Sequence, residues 1–202
     1  MVRRLRFVTL VLLGLSAILI AATWKRSSEL ELDHFGSVAP FTFVGRDGKP
    51  VSDRDLLGRV CVFACFFTCC TESCPALSGS MARLQSDLKD VGNLRLLSLT
   101  VDPDNDTPEK LDAYAQTFGA DPQRWLFLTS DRSKVEEFVV GRLKLGLEEN
   151  KGPERNTGNK MLHSSKLVLV DQKGEIRGYF DGTMADGVDA LERAARHLAS
   201  QR

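Results

Sequence analysis

The stretch RVCVFACFF, residues 59–67, carries no charge after Arg59. An unbroken apolar run of strand length, without polar alternation, fits a strand covered on both faces. A chain built around such a strand needs packed elements above and below its sheet, which points to an α/β fold. Cys69, Cys70 and Cys74 come directly after this run, and Pro75 then introduces a helical pattern. Pro75 is expected at the first helical position, where its missing N–H costs nothing. Leu77, Met81, Leu84 and Leu88 recur as one apolar helical face.

The rest of the chain continues the alternation. LRLLSLTVD, 94–102, reads as a second buried strand. DTPEKLDAYAQTFG reads as a helix with Thr107 as cap, Pro108 at its first position and Gly119 at its end. RWLFLTS gives a short strand, and DRSKVEEFVVGRL a helix capped by Asp131 or Ser133. Residues 146–162 show no period and several turn formers, so a long loop is expected. KLVLVDQKGEIRGYFDG reads as a hairpin turning through Lys173-Gly174, and GVDALERAARHLAS as a closing helix with Val188, Leu191, Ala195 and Leu198 on one face. Ahead of these, PFTFVGRDGKPVS suggests a hairpin around Asp47-Gly48. A βαβ core followed by a helix, a hairpin and a terminal helix is laid out like a thioredoxin-like fold, a central mixed sheet flanked by helices. Sites in open α/β sheets lie beyond the C-terminal ends of strands, and the three cysteines fall there.

Near the N-terminus, Arg3, Arg4 and Arg6 precede Phe7–Trp24, a run with no charge. It exceeds the core of a secretory signal and reaches the roughly 17–25 residues of a spanning helix. An uncleaved transmembrane anchor is expected, with Ala21 and Ala22 leaving a cleaved signal as the alternative. Both export the chain beyond Trp24, and the flanking arginines stay cytoplasmic. The expected plan is 1–24 anchor or signal segment, 25–36 charged tether and 37–202 folded domain, held at the membrane on the extracytoplasmic, periplasmic side. Lys+Arg and Asp+Glu both number 27, so no electrostatic argument favours a nucleic-acid surface.

Export permits disulfides, yet the five cysteines, Cys61, Cys65, Cys69, Cys70 and Cys74, are odd in number and crowd one end of one element. They read as a local site. If the chain between Cys70 and Cys74 makes one helical turn, both thiols share a face, within reach of one ion or of each other. A helix N-terminus aimed at them would favour thiolate. Two thiolates suit Cu(I), zinc or an iron–sulfur cluster, and an added imidazole makes a set that suits copper. Of three histidines, His34 lies in the tether and His197 on the terminal helix. His163, where the long loop enters a strand, is placed like a site residue.

These segments resemble the Sco/SenC family of membrane-anchored, thioredoxin-like copper proteins that assist assembly of the dinuclear copper centre in cytochrome c oxidase subunit II. FFTCCTESCP is similar to the family's Phe-Thr-x-Cys-x-x-x-Cys-Pro signature, LTVDPDNDTPEKLDAYAQTFGAD to its Asp-Pro and Asp-Thr-Pro segment, and HSSKLVLVDQKGEIRGYFDG to its histidine-bearing strand and hairpin. The resemblance spans roughly residues 36 to 182 and, position by position, implies Cys70, Cys74 and His163 as copper ligands and Asp102 as an acidic residue near them. Cys69, Thr71 and Glu72 depart from residues common in the family at those positions, which bears on affinity and redox potential.

The implied function is that of a copper metallochaperone whose partner is cytochrome c oxidase subunit II or another exported copper or thiol client. The alternative is an extracytoplasmic thiol–disulfide oxidoreductase in which Cys70 and Cys74 are the catalytic couple. A peroxidase needs a peroxide-stabilising surround that the local sequence does not supply. A Cys70–Cys74 disulfide serving structure alone would close a short loop and stabilise little. Cys61 and Cys65, four apart in a buried strand, read as core packing, and Cys69 as either adventitious or modulatory. Met161 reads as loop packing, with soft ligation as its other use. Asp102, Asp104 and Asp106 lack the glycine and terminal glutamate of a calcium loop; Asp106 and Thr107 read as helix entry.

Overall fold

The computed structural model describes residues 32–71, 73–152 and 161–201. The expected anchor, the first part of the tether, Glu72 and residues 153–160 lie outside the described residues. Among the described residues nine strands occur in chain order: β1 (Thr42–Gly45), β2 (Pro50–Ser52), β3 (Val60–Phe66), β4 (Leu94–Thr100), β5 (Trp125–Thr129), β6 (Leu147–Glu149), β7 (Met161–His163), β8 (Lys166–Val170) and β9 (Ile176–Asp181). Seven of them form one mixed sheet in the order β2-β1-β5-β4-β3-β8-β9, and β6 and β7 make a separate ribbon. The helices are α1 (Ser73–Asp87), α2 (Pro108–Thr117), α3 (Arg132–Glu136, continued by a wider π turn over Glu137–Arg142) and α4 (Ala185–Ser200). Among the described residues no helix is long and apolar enough to cross a membrane.

Every residue of β3 is buried, as its composition requires. It runs parallel to β4, Phe66 opposite Thr100, and antiparallel to β8, Phe63 opposite Val168. Residues of odd and even number on a strand point to opposite faces. Accordingly Phe63 meets Phe41 and Phe138, whereas Phe66 meets Tyr114 and Phe127. One aromatic layer thus joins β3 to α3 and the other joins it to α2. The thioredoxin-like arrangement of a mixed sheet flanked by helices is present.

The expected face of α1 is buried at Leu77, Met81 and Leu84, with Leu88 just beyond the helix end. Its start differs: the helix begins at Ser73, two residues before Pro75. Pro75 still lies in the first turn, whose N–H groups have no intrahelical partner, and Cys74 becomes a helical residue. In α2, Thr107 is the cap, accepting from Lys110 N–H, with Pro108 first. The helix closes as a Schellman motif: Gly119 at φ +61° donates to Gln116 O, and Ala120 donates to Ala115 O. Asp131 precedes α3 as its backbone cap while its carboxylate pairs with Lys134 at 2.8 Å. At the other end Leu143 N–H donates to Phe138 O, five residues back, which widens the last turn.

Two expectations need correction. Residues 146–162 are not wholly loop, because β6 and β7 pair with Leu147 opposite His163 and Glu149 opposite Met161. Three residues per strand are too few to show a two-residue period. The segment Leu32–Gly36, expected as tether, packs along β9: Phe35 N–H donates to Ile176 O, Ile176 N–H to Gly36 O, and Arg177 reaches the carbonyls of Leu32 and Asp33.

Candidate metal centre

Just past the C-terminal end of β3 the chain turns tightly, Cys70 N–H donating to Phe67 O at 3.2 Å. The turn is pinned from the side. Asp106 accepts from Thr68 N–H at 3.1 Å, from the Thr68 hydroxyl and from the Thr100 hydroxyl. The next residues begin α1 and place Cys74 in its first turn. The β6–β7 ribbon brings His163 to the same place from the far side of the sequence. Ligand atoms of Cys70, Cys74 and His163 all lie within 4.8 Å of one another, and Cys74 Sγ is 3.2 Å from His163 Nε2.

The imidazole is oriented by its other nitrogen. His163 Nδ1 lies 3.1 Å from Ser164 O, and a carbonyl oxygen only accepts. In the neutral ring Nδ1 therefore carries the proton and Nε2 turns its lone pair toward Cys74. Phe67 stands edge-on to the ring at 5.8 Å and 81°, an apolar wall on one side of the site.

Cys74 is fully buried and Cys70 is 8% exposed. The hydrogen-bonded Cys70 side chain, followed by burial, pushes the Cys74 thiol far above the ordinary range, and the Phe67 backbone only partly offsets this. The position near a helix N-terminus, which favours thiolate, is outweighed. The Cys74 thiol, which burial and its neighbour keep protonated, gives up that proton when a cation arrives to replace it. The spacing suits that exchange. Three donors bonded at about 2.0–2.3 Å to one ion stand roughly 3.5–4 Å apart, and the observed donors, all within 4.8 Å of one another, come within an ångström of that spacing. A pair of thiols with one imidazole is a donor set for a soft or borderline metal.

The other candidate residues sort themselves by position. Asp102 is buried, and its carboxylate accepts from Asn105 Nδ2 at 2.9 and 2.8 Å and faces Arg132 at 3.5 Å. Its carbonyl takes the N–H groups of Asn105 and Asp106. Asp106, read from sequence only as helix entry, is the acid that grips the cysteine turn. Its side chain is buried, and desolvation raises its pKa against the hydrogen bonds that lower it. The two roles look alike in sequence, since both residues sit in one Asp-rich segment. Met161 is buried on β7 and lines a cleft of about 660 Å³ with Asp102, Arg132 and Leu147. Cys61 and Cys65 are buried in β3, and burial pushes both thiols up to about 12. Cys69 is exposed. His34 is exposed and lies 3.7 Å from Glu175, and His197 contacts Gln201 at 2.8 Å.

A family model described as SCO1/SenC matches residues 31–199. The chain belongs to the SCO1/SenC family. It is 33% identical over 147 residues to the SCO1 protein homolog of Bacillus subtilis (strain 168), covering 72% of this chain and 74% of that protein. The structure of BsSco, described as a member of the Sco family of cytochrome c oxidase assembly proteins with a disulfide switch, is 31% identical. It superposes with a TM-score of 0.72 over 84% of this chain and 98% of BsSco. Arabidopsis thaliana ScoI, solved with copper bound, shares the fold at 20% identity and a TM-score of 0.65, over 79% of this chain and 96% of that one. Within the family, the Cys70–Cys74–His163 cluster is the constellation that the sequence resemblance implies.

Proposed function

We propose that this chain is a membrane-anchored copper metallochaperone that assists assembly of the dinuclear copper centre of cytochrome c oxidase subunit II from the extracytoplasmic, periplasmic side. The observation that carries this reading is the meeting of Cys70, Cys74 and His163, with their donor atoms within 4.8 Å of one another at the end of β3. Copper is the cargo, held by two sulfurs and Nε2. Ser164 O fixes the ring that presents Nε2, and Phe67 shields it. Asp102 acts from further out, shaping the β4–α2 turn from which Asp106 holds Thr68. The charge-free run Phe7–Trp24 supports anchoring near an integral-membrane client. The test is transfer: the copper-loaded protein is mixed with the copper-free soluble domain of subunit II. Appearance of the client's copper absorption, lost in Cys70→Ser, supports the reading, and copper retained by the loaded protein contradicts it.

A second reading, a thiol–disulfide oxidoreductase, is favoured by one observation. The sulfurs of Cys70 and Cys74 lie within 4.8 Å, so a modest rotation brings them to the roughly 2.05 Å of a disulfide. His163 separates the two readings. A thiol couple keeps its exchange activity in His163→Ala, whereas copper holding weakens.

A further inference from the structure

The two clustered thiols lie beneath the surface and His163 is half-buried, and a third thiol lies exposed next to them in the chain. Cys74 is fully buried and Cys70 nearly so, while Cys69, one peptide link from Cys70, is exposed. Consecutive Cα atoms are about 3.8 Å apart, so Cys69 and Cys70 leave the same turn at the end of β3. Cys69 is outside the three-donor cluster; its sulfur lies 3.9 Å from Thr68 Oγ1. Thr68 gives its only hydroxyl proton to Asp106, so in that contact the Cys69 thiol is the donor. Since Asp106 also holds Thr68 by its backbone N–H, the exposed sulfur is stationed by a pinned residue.

We infer that Cys69 is the transfer thiol of this site, the surface sulfur through which Cu(I) passes between the Cys70–Cys74–His163 cluster and an outside protein with thiolate ligands. The inference rests on the proposed copper function. An ion under two nearly buried sulfurs meets an incoming protein slowly unless a donor at the surface can share it first. Cys69 forms a sulfur–copper bond as its proton leaves to water, and His163 Nε2, the neutral donor of the cluster, releases its bond. Copper stays Cu(I), and no electron moves. Acceptor thiolates then displace Cys74, Cys70 and finally Cys69, each released sulfur taking a proton back from water. The chain ends with the thiols it began with.

The full-length chain in detergent micelles, reduced and loaded anaerobically with equimolar Cu(I), is mixed in a stopped-flow instrument with excess bathocuproine disulfonate, whose absorbance reports captured copper. Cys69→Ser and Cys69→Ala are expected to slow capture by about tenfold or more, while equilibrium Cu(I) affinity stays within about twofold and circular dichroism is unchanged. Reversible methylthiolation of Cys69 in the loaded wild-type chain is expected to slow capture equally, without a substitution. Cys61→Ser is expected to leave the rate as it is. An unchanged rate in both Cys69 variants overturns the inference and leaves the copper reading standing. An affinity that falls in step with the rate also overturns it, by making Cys69 a resident ligand. A wild-type chain that takes up no copper removes the copper reading itself, and this inference with it.

Discussion

Asp106 is the residue whose loss should reveal how the site is held. Its carboxylate accepts from the Thr68 backbone, the Thr68 hydroxyl and the Thr100 hydroxyl. In Asp106→Ala all three donors lose this partner. Thr68 is half-buried, so water recovers much of its share, leaving a loss of roughly 1 kcal/mol. Thr100 is fully buried, and its oxygen already accepts from Asp102 N–H at 3.0 Å, so its proton is orphaned at about 1–3 kcal/mol. The total is roughly 2–4 kcal/mol, trimmed by relief of the buried carboxylate's own desolvation. Asp106→Asn keeps an accepting oxygen, and the Thr100 hydroxyl can rotate to accept from the amide, so its loss is about 1 kcal/mol. Urea unfolding followed by circular dichroism measures both. With a slope of about 1–3 kcal/mol/M, the alanine variant should unfold roughly 1–2 M earlier at unchanged slope. Cu(I) affinity should fall in the same order, alanine below asparagine below wild type. An alanine variant within about 0.5 kcal/mol of wild type, or one with full stability and weakened copper binding, would refute the argument that this carboxylate pins the turn.

Asp106 also predicts a pH signature. Its pKa is raised above 3.8 by desolvation, so the folded chain holds a proton that the unfolded chain has released, and stability falls as pH rises from 3.8 through the raised value. The stability difference between wild type and Asp106→Asn across that window should show this slope, and a flat difference counts against it. Gly182→Ala should cost about 1–3 kcal/mol by overpacking, since its Cβ would lie 2.2 Å from Leu77 Cδ1 and 2.9 Å from Leu167 Cγ; thermal unfolding reads this out. Cys61 and Cys65, buried with thiols pushed up to about 12, should resist iodoacetamide at pH 8 until the chain is unfolded, with mass mapping of labelled peptides as the check.

Much of this architecture was legible because the relevant signals are local. The charge-free run of β3 dictates burial on both faces, and Thr107, Pro108 and Gly119 supply a cap, a first-turn residue and a left-handed exit for α2. Pro75 misled by two residues, because every early N–H of a helix can be spared and proline is tolerated across the first turn. The β6–β7 ribbon escaped notice because its pairing joins residues far apart in sequence and too few to show alternation. That missing ribbon is also what delivers His163, so the sequence could nominate the histidine without showing how it arrives. Asp102 and Asp106 were indistinguishable in kind. Their roles depend on which hydroxyls lie across the β3–β4 pair, a fact of register: Val101 N–H bonds to Phe66 O, and that alignment sets Thr68 against Asp106.

The central claim is that Cys70, Cys74 and His163 form one copper-holding site. The most direct measurement is an anaerobic Cu(I) titration of the reduced protein against a competing chelator, beside Cys70→Ser, Cys74→Ser and His163→Ala. The account predicts one tightly held copper per chain, weakened by each of the three changes. Binding that is absent, or indifferent to all three substitutions, would contradict it.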